Sequence, residues 1–433
     1  MSSKILQTIK KELQKIIMAY ELFVKQEMAN HAAAGAYAFL LSALPVVLVL
    51  VYVSLIILGN SQAVISIISE IKGFDNLPVE QVVTAFFSKK LNQVAGAFLL
   101  LNLLWTSRLF VLSVQRGLRI IFSDISTGTP LRENLITFIV ELLILVAVIA
   151  VISALQMFQY AVTIIPPGYI SKSITMIISF ARYLVPLFIL WLFIVQTLRV
   201  LPAYKISTCK IIKASTVCTL LYTAIAYVIQ LLFSTNRYGV IYGVLGNVIG
   251  LLIKVYFFFW LYFLFAEYLY TDEFFTSIAF KKYRALFEKK KLNKIDRVIL
   301  NALQDSFKEQ TIRLKPGMLL FKKDEISDYA YFIVSGSIGI YFKDPVIEVN
   351  EPFTIVSPGN FIGEMGVLLH ESRSAWGKAL DTTIVLVFTR EDIEHLIIHS
   401  PAEARKMINL LSSRLRDLNL QFQEGSNELS HHL

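Results

Sequence analysis

Two hydrophobic textures divide the chain. Up to about residue 290 the apolar positions form long unbroken runs; beyond it they shorten and turn residues punctuate them. Met28–Ser69 contains no Asp, Glu, Lys or Arg. Because a bilayer-crossing helix needs about 20 apolar residues, its core Ala36–Leu58 is predicted as a first span. Further spans are predicted at Val94–Ser113, Leu135–Met157, Ile174–Leu198, Ile211–Phe233 and Ile241–Tyr270. Lys4, Lys10, Lys11 and Lys15 precede the first on an amphipathic helix, and no small-residue cleavage site follows it, so it is expected to stay as an anchor.

From about Leu292 the turn signals Lys315-Pro316-Gly317, Ser335-Gly336, Asp344-Pro345 and Ser357-Pro358-Gly359 separate short β-branched and aromatic segments such as Tyr331–Val334 and Ile338–Phe342. That rhythm predicts antiparallel strands. Thr389–His399 and Pro401–Gln423 read as closing helices. The expected fold is therefore an all-α membrane bundle of six helices followed by a cytoplasmic, jelly-roll-like antiparallel β-roll with flanking helices. The boundaries expected are an N-terminal segment over 1–32, the membrane domain over 33–275, a basic helical linker over 276–302, the roll over 303–423 and a flexible tail over 424–433.

Composition sharpens this picture. Of 433 residues, 55% are hydrophobic and 17% charged, against about 25% charged in soluble domains, and mean hydropathy is +0.61. An ordinary soluble enzyme and a disordered chain are both excluded. The net charge of +9 is uneven, for residues 1–290 hold 25 Lys/Arg against 13 Asp/Glu. Cations that sit in the apolar half follow membrane topology rather than mark a nucleic-acid groove. The N-terminal segment and loops two and four carry twelve of them, and loops one, three and five carry five. Both termini are thereby expected in the cytoplasm, with the protein in the inner (cytoplasmic) membrane. Cys209 and Cys218 fit neither a redox pair nor a zinc ribbon, and no metal site or cofactor is expected.

Ala36–Pro45 (AYAFLLSALP), Leu104–Arg108 (LWTSR), Arg237–Asn247 (RYGVIYGVLGN) and the Trp260–Glu267 ending resemble the YihY/BrkB family over roughly residues 15–275. The resemblance implies an integral membrane protein, with transport its usual assignment. The family was once labelled ribonuclease BN, but metal-assisted phosphodiester hydrolysis needs several His or carboxylates around ions. This half holds His31 and few acids, so an enzyme is not expected. Glu141, Arg182 and Lys254 fall in or near spans, where ionisable groups are costly unless paired or hydrated. They are candidates for an intramembrane polar path; the alternative is that Glu141 and Arg182 snorkel to the headgroups.

Residues 355–376, IVSPGNFIGEMGVLLHESRSAW, resemble the phosphate cassette of the cyclic nucleotide-binding domain, in particular that of the catabolite activator protein. Tyr331–Gly336 and Ala379–Arg390 supply its frame, and the resemblance runs from about Leu303 to Asn419. It implies that Gly363 lets backbone approach the ligand, that Glu364 accepts from the ribose hydroxyl and that Arg373 pairs with the phosphate, helped by Ser374. Ala375 would keep the wall small, Phe361 and Met365 would pack beneath the turn, and Asn419 is the candidate for reading the base. The ligand implied is cyclic AMP in preference to cyclic GMP, as a regulatory partner beside the lipid bilayer, with homo-oligomers forming through terminal helices. Too few residues follow the last helix for a DNA-reading module, so no nucleic acid is expected. Ser372 stands where the family commonly has proline, Asp324-Glu325 replaces a glycine-aspartate turn, and Gly377 replaces a β-branched strand residue. These departures support an alternative in which the roll is a ligand-free structural or interaction module. His370, His395 and His399 are expected to face solvent.

Overall fold

The structure is a computed structural model. It describes residues 2–42, 109–110, 112–122, 172–202, 206–233, 244–289, 291, 293–347, 351–400, 403–409, 411–413 and 415–416. The chain divides into two compact units, Glu12–Glu273 and Met1–Lys11 together with Phe274–Leu433.

In the first unit, three long helices follow the uncharged runs: α2 (Lys172–Val200), α3 (Thr208–Phe233) and α4 (Val244–Glu273); the part of α1 (Ser2–Lys25) from Glu12 onward precedes them in the chain. They cover the predicted spans Ile174–Leu198, Ile211–Phe233 and Ile241–Tyr270, apart from the residues before Val244. The run beginning at Ala36 starts within helical residues 28–42, while Leu135–Met157 lies outside the described residues. Among the described residues, Thr208–Leu232 and Ile249–Glu273 are long and apolar enough to cross a membrane. Leu220, Tyr227 and Leu232 of α3 stand 66%, 64% and 63% exposed. So much apolar surface on one helix suits lipid rather than water.

Inward, α4 presents Phe259, Tyr262 and Phe263, all fully buried. Gly117 faces Phe263 so closely that a methyl group there would collide with the ring, which is why this position takes no side chain. At one end of the bundle a chain of alternating charge ties three helices. Lys15 Nζ of α1 meets Asp272 Oδ1 at 2.6 Å, Asp272 Oδ2 meets Lys210 Nζ of α3 at 2.9 Å, and Lys210 reaches Glu273 Oε2 at 2.9 Å. Glu12 closes the series on Lys15 and accepts from the Tyr268 hydroxyl at 2.7 Å.

The second unit is the β-roll with its helices. After α5 (Phe275–Phe287) and α6 (Lys294–Ser306) come β1 (Thr311–Leu314), β2 (Leu319–Phe321), β3 (Tyr329–Ser335), β4 (Ile338–Tyr341), β5 (Thr354–Val356) and β6 (Phe361–Ile362). The chain continues with α7 (Glu364–Leu369), β7 (Trp376–Ala379), β8 (Thr383–Thr389) and α8 (Arg390–His399). Residues 403–409 are helical again. Two four-stranded sheets, in the orders β1-β8-β3-β6 and β2-β7-β4-β5, pair antiparallel throughout. Between them lies a core that includes Leu314, Tyr331, Ile333, Ile338, Val356 and Val385. The turn after β3 needs Gly336, whose φ of +83° is left-handed and whose missing side chain leaves room for Thr383 and Asp381. Asp381 then accepts from the Ser337 amide at 2.7 Å.

The residues expected as a linker form helices that pack on the roll. Phe280 of α5 is fully buried and lies edge-on to Phe388, Phe332 and Phe361, with ring centroids at 4.6, 4.8 and 5.5 Å. Thr389 caps α8 in a reciprocal box with Asp392, its hydroxyl accepting from the Asp392 amide at 3.3 Å. One expectation fails here. His395 is 6% exposed and stacks on Phe274 at 3.8 Å instead of facing solvent, because the inward face of α8 is covered by the segment leading into α5. His370 is exposed as expected.

Candidate functional site

The cassette is assembled by three short segments whose backbones hold one another. Asp324 adopts φ +65°, a left-handed turn that its short polar side chain tolerates. The Asp324 amide donates to the Arg373 carbonyl at 2.8 Å, and the Arg373 amide donates to the Glu325 carbonyl at 2.9 Å. This pair fixes the base of the arginine. Gly363, at φ +75°, precedes α7, and its pro-side-chain space is filled by Nη1 of Arg373. Any larger residue would be strained and would also displace the guanidinium.

Arg373 turns inward and is 5% exposed. Nη1 donates to the Gly363 carbonyl and Nη2 to the Tyr329 carbonyl. The guanidinium carbon lies 4.7 Å from the centre of the Phe321 ring and 5.7 Å from that of Tyr331, and those two rings stack at 6.2 Å. Delocalised and weakly hydrated, guanidinium suits such an aromatic wall. Burial pushes the Arg373 pKa below its ordinary value, while the Tyr331 phenol and the Glu325 and Glu364 carboxylates act in the other direction. Burial also raises the Tyr331 phenol, with the arginine opposing it. Nε of Arg373 has no hydrogen-bond partner among the described residues. Glu364, the first residue of α7, is wholly buried, and its charge favours that of the arginine.

The structure therefore brings Gly363, Glu364 and Arg373 together; Ala375 is buried and Ser374 exposed. Met365 departs from expectation: it is 46% exposed, and Val367, fully buried, takes the inward place on the short helix. Phe361 is buried as expected. Asn419 and Glu141 lie outside the described residues. Arg182 lies on α2, and Lys254 is half-buried on α4.

Several roles escaped the sequence reading. A β-carbon at Gly377 would stand 2.8 Å from the Phe321 ring, so the glycine makes room for the aromatic that supports Arg373. Arg284 of α5 is buried and pairs with the buried Glu403. Its Nε meets Glu288 Oε1 at 3.0 Å and its Nη2 meets the Gly359 carbonyl at 3.3 Å. The same guanidinium lies over Phe332 and Phe361, at 5.5 and 5.9 Å. It therefore touches the turn before β6, the aromatic residue leading to Gly363, and the helix after α8. In sequence it read as one more cation among lysines.

Residues 311–400 match the cyclic nucleotide-binding domain. The cyclic AMP receptor protein of Thermus thermophilus is 30% identical over 127 residues, which is 28% of this chain and 58% of that protein. Among solved structures, the catabolite activator protein of Thermus thermophilus is similar at 25% identity and TM-score 0.25, over 33% of this chain and 62% of the other. The EAL enzyme Bd1971, in a form bound to cyclic AMP and cyclic-di-GMP, is similar at 26% identity and TM-score 0.21, over 26% and 29%. The chain thus spans less than two thirds of the length of the curated relatives it matches. Residues 19–272, more than half of the chain, match the model of virulence factor BrkB, and the protein belongs to that membrane family, carrying a cyclic nucleotide-binding domain behind the membrane region.

Proposed function

We propose that the roll binds a cyclic nucleotide, cyclic AMP in preference to cyclic GMP, and regulates a multi-pass membrane domain that moves a solute. Both termini lie in the cytoplasm of this reading, which assigns the chain no catalysis. The observation that carries it is the buried grouping of Arg373 and Glu364 around the left-handed Gly363. A cyclic phosphate diester offers one negative charge and a ribose hydroxyl, and this grouping supplies a paired-donor cation and a carboxylate. The name of the Thermus thermophilus relative favours cyclic AMP.

Binding would exchange the two carbonyl partners of Arg373 for phosphate oxygens. The segment Phe361–Gly363 then shifts against Phe280 and Arg284, so that α5 and the helix bearing Glu403 settle in a new position. Regulation requires that the ligand favour one of two states of the membrane domain. Calorimetry on the purified full chain tests the binding step. Saturable heat with cyclic AMP that is lost in Arg373→Glu is expected; no heat with either nucleotide would overturn the reading. The alternative, a ligand-free module, rests on the carbonyl partners that Arg373 already holds. It predicts no heat and an unchanged set of bound partners in Arg373→Glu.

A further inference from the structure

Glu267 of α4 is 0% exposed, and neither of its carboxylate oxygens has a hydrogen-bond partner among the described residues. One helical turn on, Thr271 is also 0% exposed and its hydroxyl is likewise unpartnered. The third such group is the hydroxyl of Ser215 on α3, again 0% exposed. The two helices run antiparallel, with Lys210 bonded to Glu273 and Tyr222 packed edge-on to Phe258 at 5.3 Å. Ser215 therefore lies level with the stretch that holds Glu267.

These orphans contrast with their surroundings. Glu12, Asp272 and Glu273 each pair with Lys15 or Lys210, so nearby acids on the same helices do find cations. Deeper in the bundle the Tyr262 hydroxyl donates to Thr197 Oγ1 at 2.9 Å, and Thr219 donates to the Ser215 carbonyl at 2.8 Å. An ionised carboxylate left alone in an apolar interior costs more than a whole domain's margin of stability. Packing gives no reason for it, since Leu would fill the volume without that cost.

We propose that Glu267, with the hydroxyls of Thr271 and Ser215, forms a site inside the membrane domain for a monovalent cation, either a proton or an alkali-metal ion. One carboxylate and two neutral oxygens match a single positive charge. A divalent ion would want more acids, and among the described residues no three His, Cys, Asp or Glu converge. Other ionisable groups on the packed helices do not supply the charge. Arg116, Arg199 and Lys213 are exposed, His31 and Lys254 are half-buried, and Arg119 has an interaction of its own. Cys218 of α3 and Tyr262 of α4 are buried but carry no cation. The site is independent of nucleotide binding, and its failure would leave the proposed role of the roll untouched.

Thermal unfolding of the purified full chain in detergent, followed by tryptophan fluorescence, tests it at constant ionic strength. One arm lowers pH with choline as the only salt cation; the other replaces choline by sodium or potassium at fixed alkaline pH. Wild type is expected to gain about 5 °C or more in one arm, and Glu267→Gln to lose that gain. The arm that responds identifies the cation. If an alkali ion is the occupant, Thr271→Val raises its midpoint at least threefold. Should Glu267→Gln not fold, Glu267→Asp, which retracts the carboxylate, must shift the midpoint by a similar factor. Wild type indifferent in both arms, an equal response in Glu267→Gln, or unmoved midpoints in the substituted chains would each overturn the proposal.

Discussion

Removing either partner of the Arg284–Glu403 pair should unfold the roll far more readily, and by unequal amounts. Both side chains are under a tenth exposed, at 9% and 8%. Breaking a buried pair costs about 3–5 kcal/mol because one charge is left uncompensated. In Arg284→Leu the orphan is Glu403, whose next cation, Lys406, is 3.8 Å away and 40% exposed, so the cost falls near the upper bound. In Glu403→Leu the guanidinium keeps Glu288, the Gly359 carbonyl and two aromatic faces, which places this variant near the lower bound. The double variant leaves no orphan and should cost less than either single change. Hydrogen exchange of the β3 peptide Tyr329–Ser335 in the full chain reads these values directly. With about 1.4 kcal/mol for each tenfold, the single variants should exchange roughly a hundredfold to several thousandfold faster. Strictly additive effects, or single costs below about 1 kcal/mol, would refute the claim that the pair is a buried, coupled contact.

Two further outcomes are expected. Gly377→Val forces the Phe321 ring away from its place and should cost about 1–3 kcal/mol; calorimetry should also show altered nucleotide affinity, because the wall behind Arg373 has moved. The Ser337 amide holds the Asp381 carboxyl below its usual range, with the Thr383 hydroxyl assisting. Its stabilisation is present above the unfolded value and disappears as pH falls through the lower folded one, so Asp381→Asn should flatten the acid limb of a pH-dependent melting profile below about pH 4.

The features legible in the sequence were those written locally. Uninterrupted apolar runs mark α2, α3 and α4 because a helix in lipid needs no polar stripe. The cassette could be read because Gly363, Glu364, Arg373 and Ala375 sit within a short segment whose turn residues also declare the strands around it. What stayed hidden depends on partners distant along the chain. Arg284 and Glu403 are 119 positions apart, so neither spacing nor composition marks the pair. Gly377 read as a weak strand residue because its benefit is the space it leaves for Phe321. His395 and Met365 exchanged their expected exposures because the covering segment before α5 and the orientation of a short helix decide them. Glu267 was visible as an acid closing an apolar run, but its lack of hydrogen-bond partners among the described residues is a three-dimensional fact.

The arginine of the cassette is held by the roll itself, through two carbonyl oxygens and two rings. Under the proposed reading an anion that draws it away must outcompete those internal companions, so the threshold for response would be a difference between two sets of contacts. Residues such as Phe321 and Tyr331, which need never meet the newcomer, then act as a dial on sensitivity: weakening the resting arrangement would make the protein answer at lower doses.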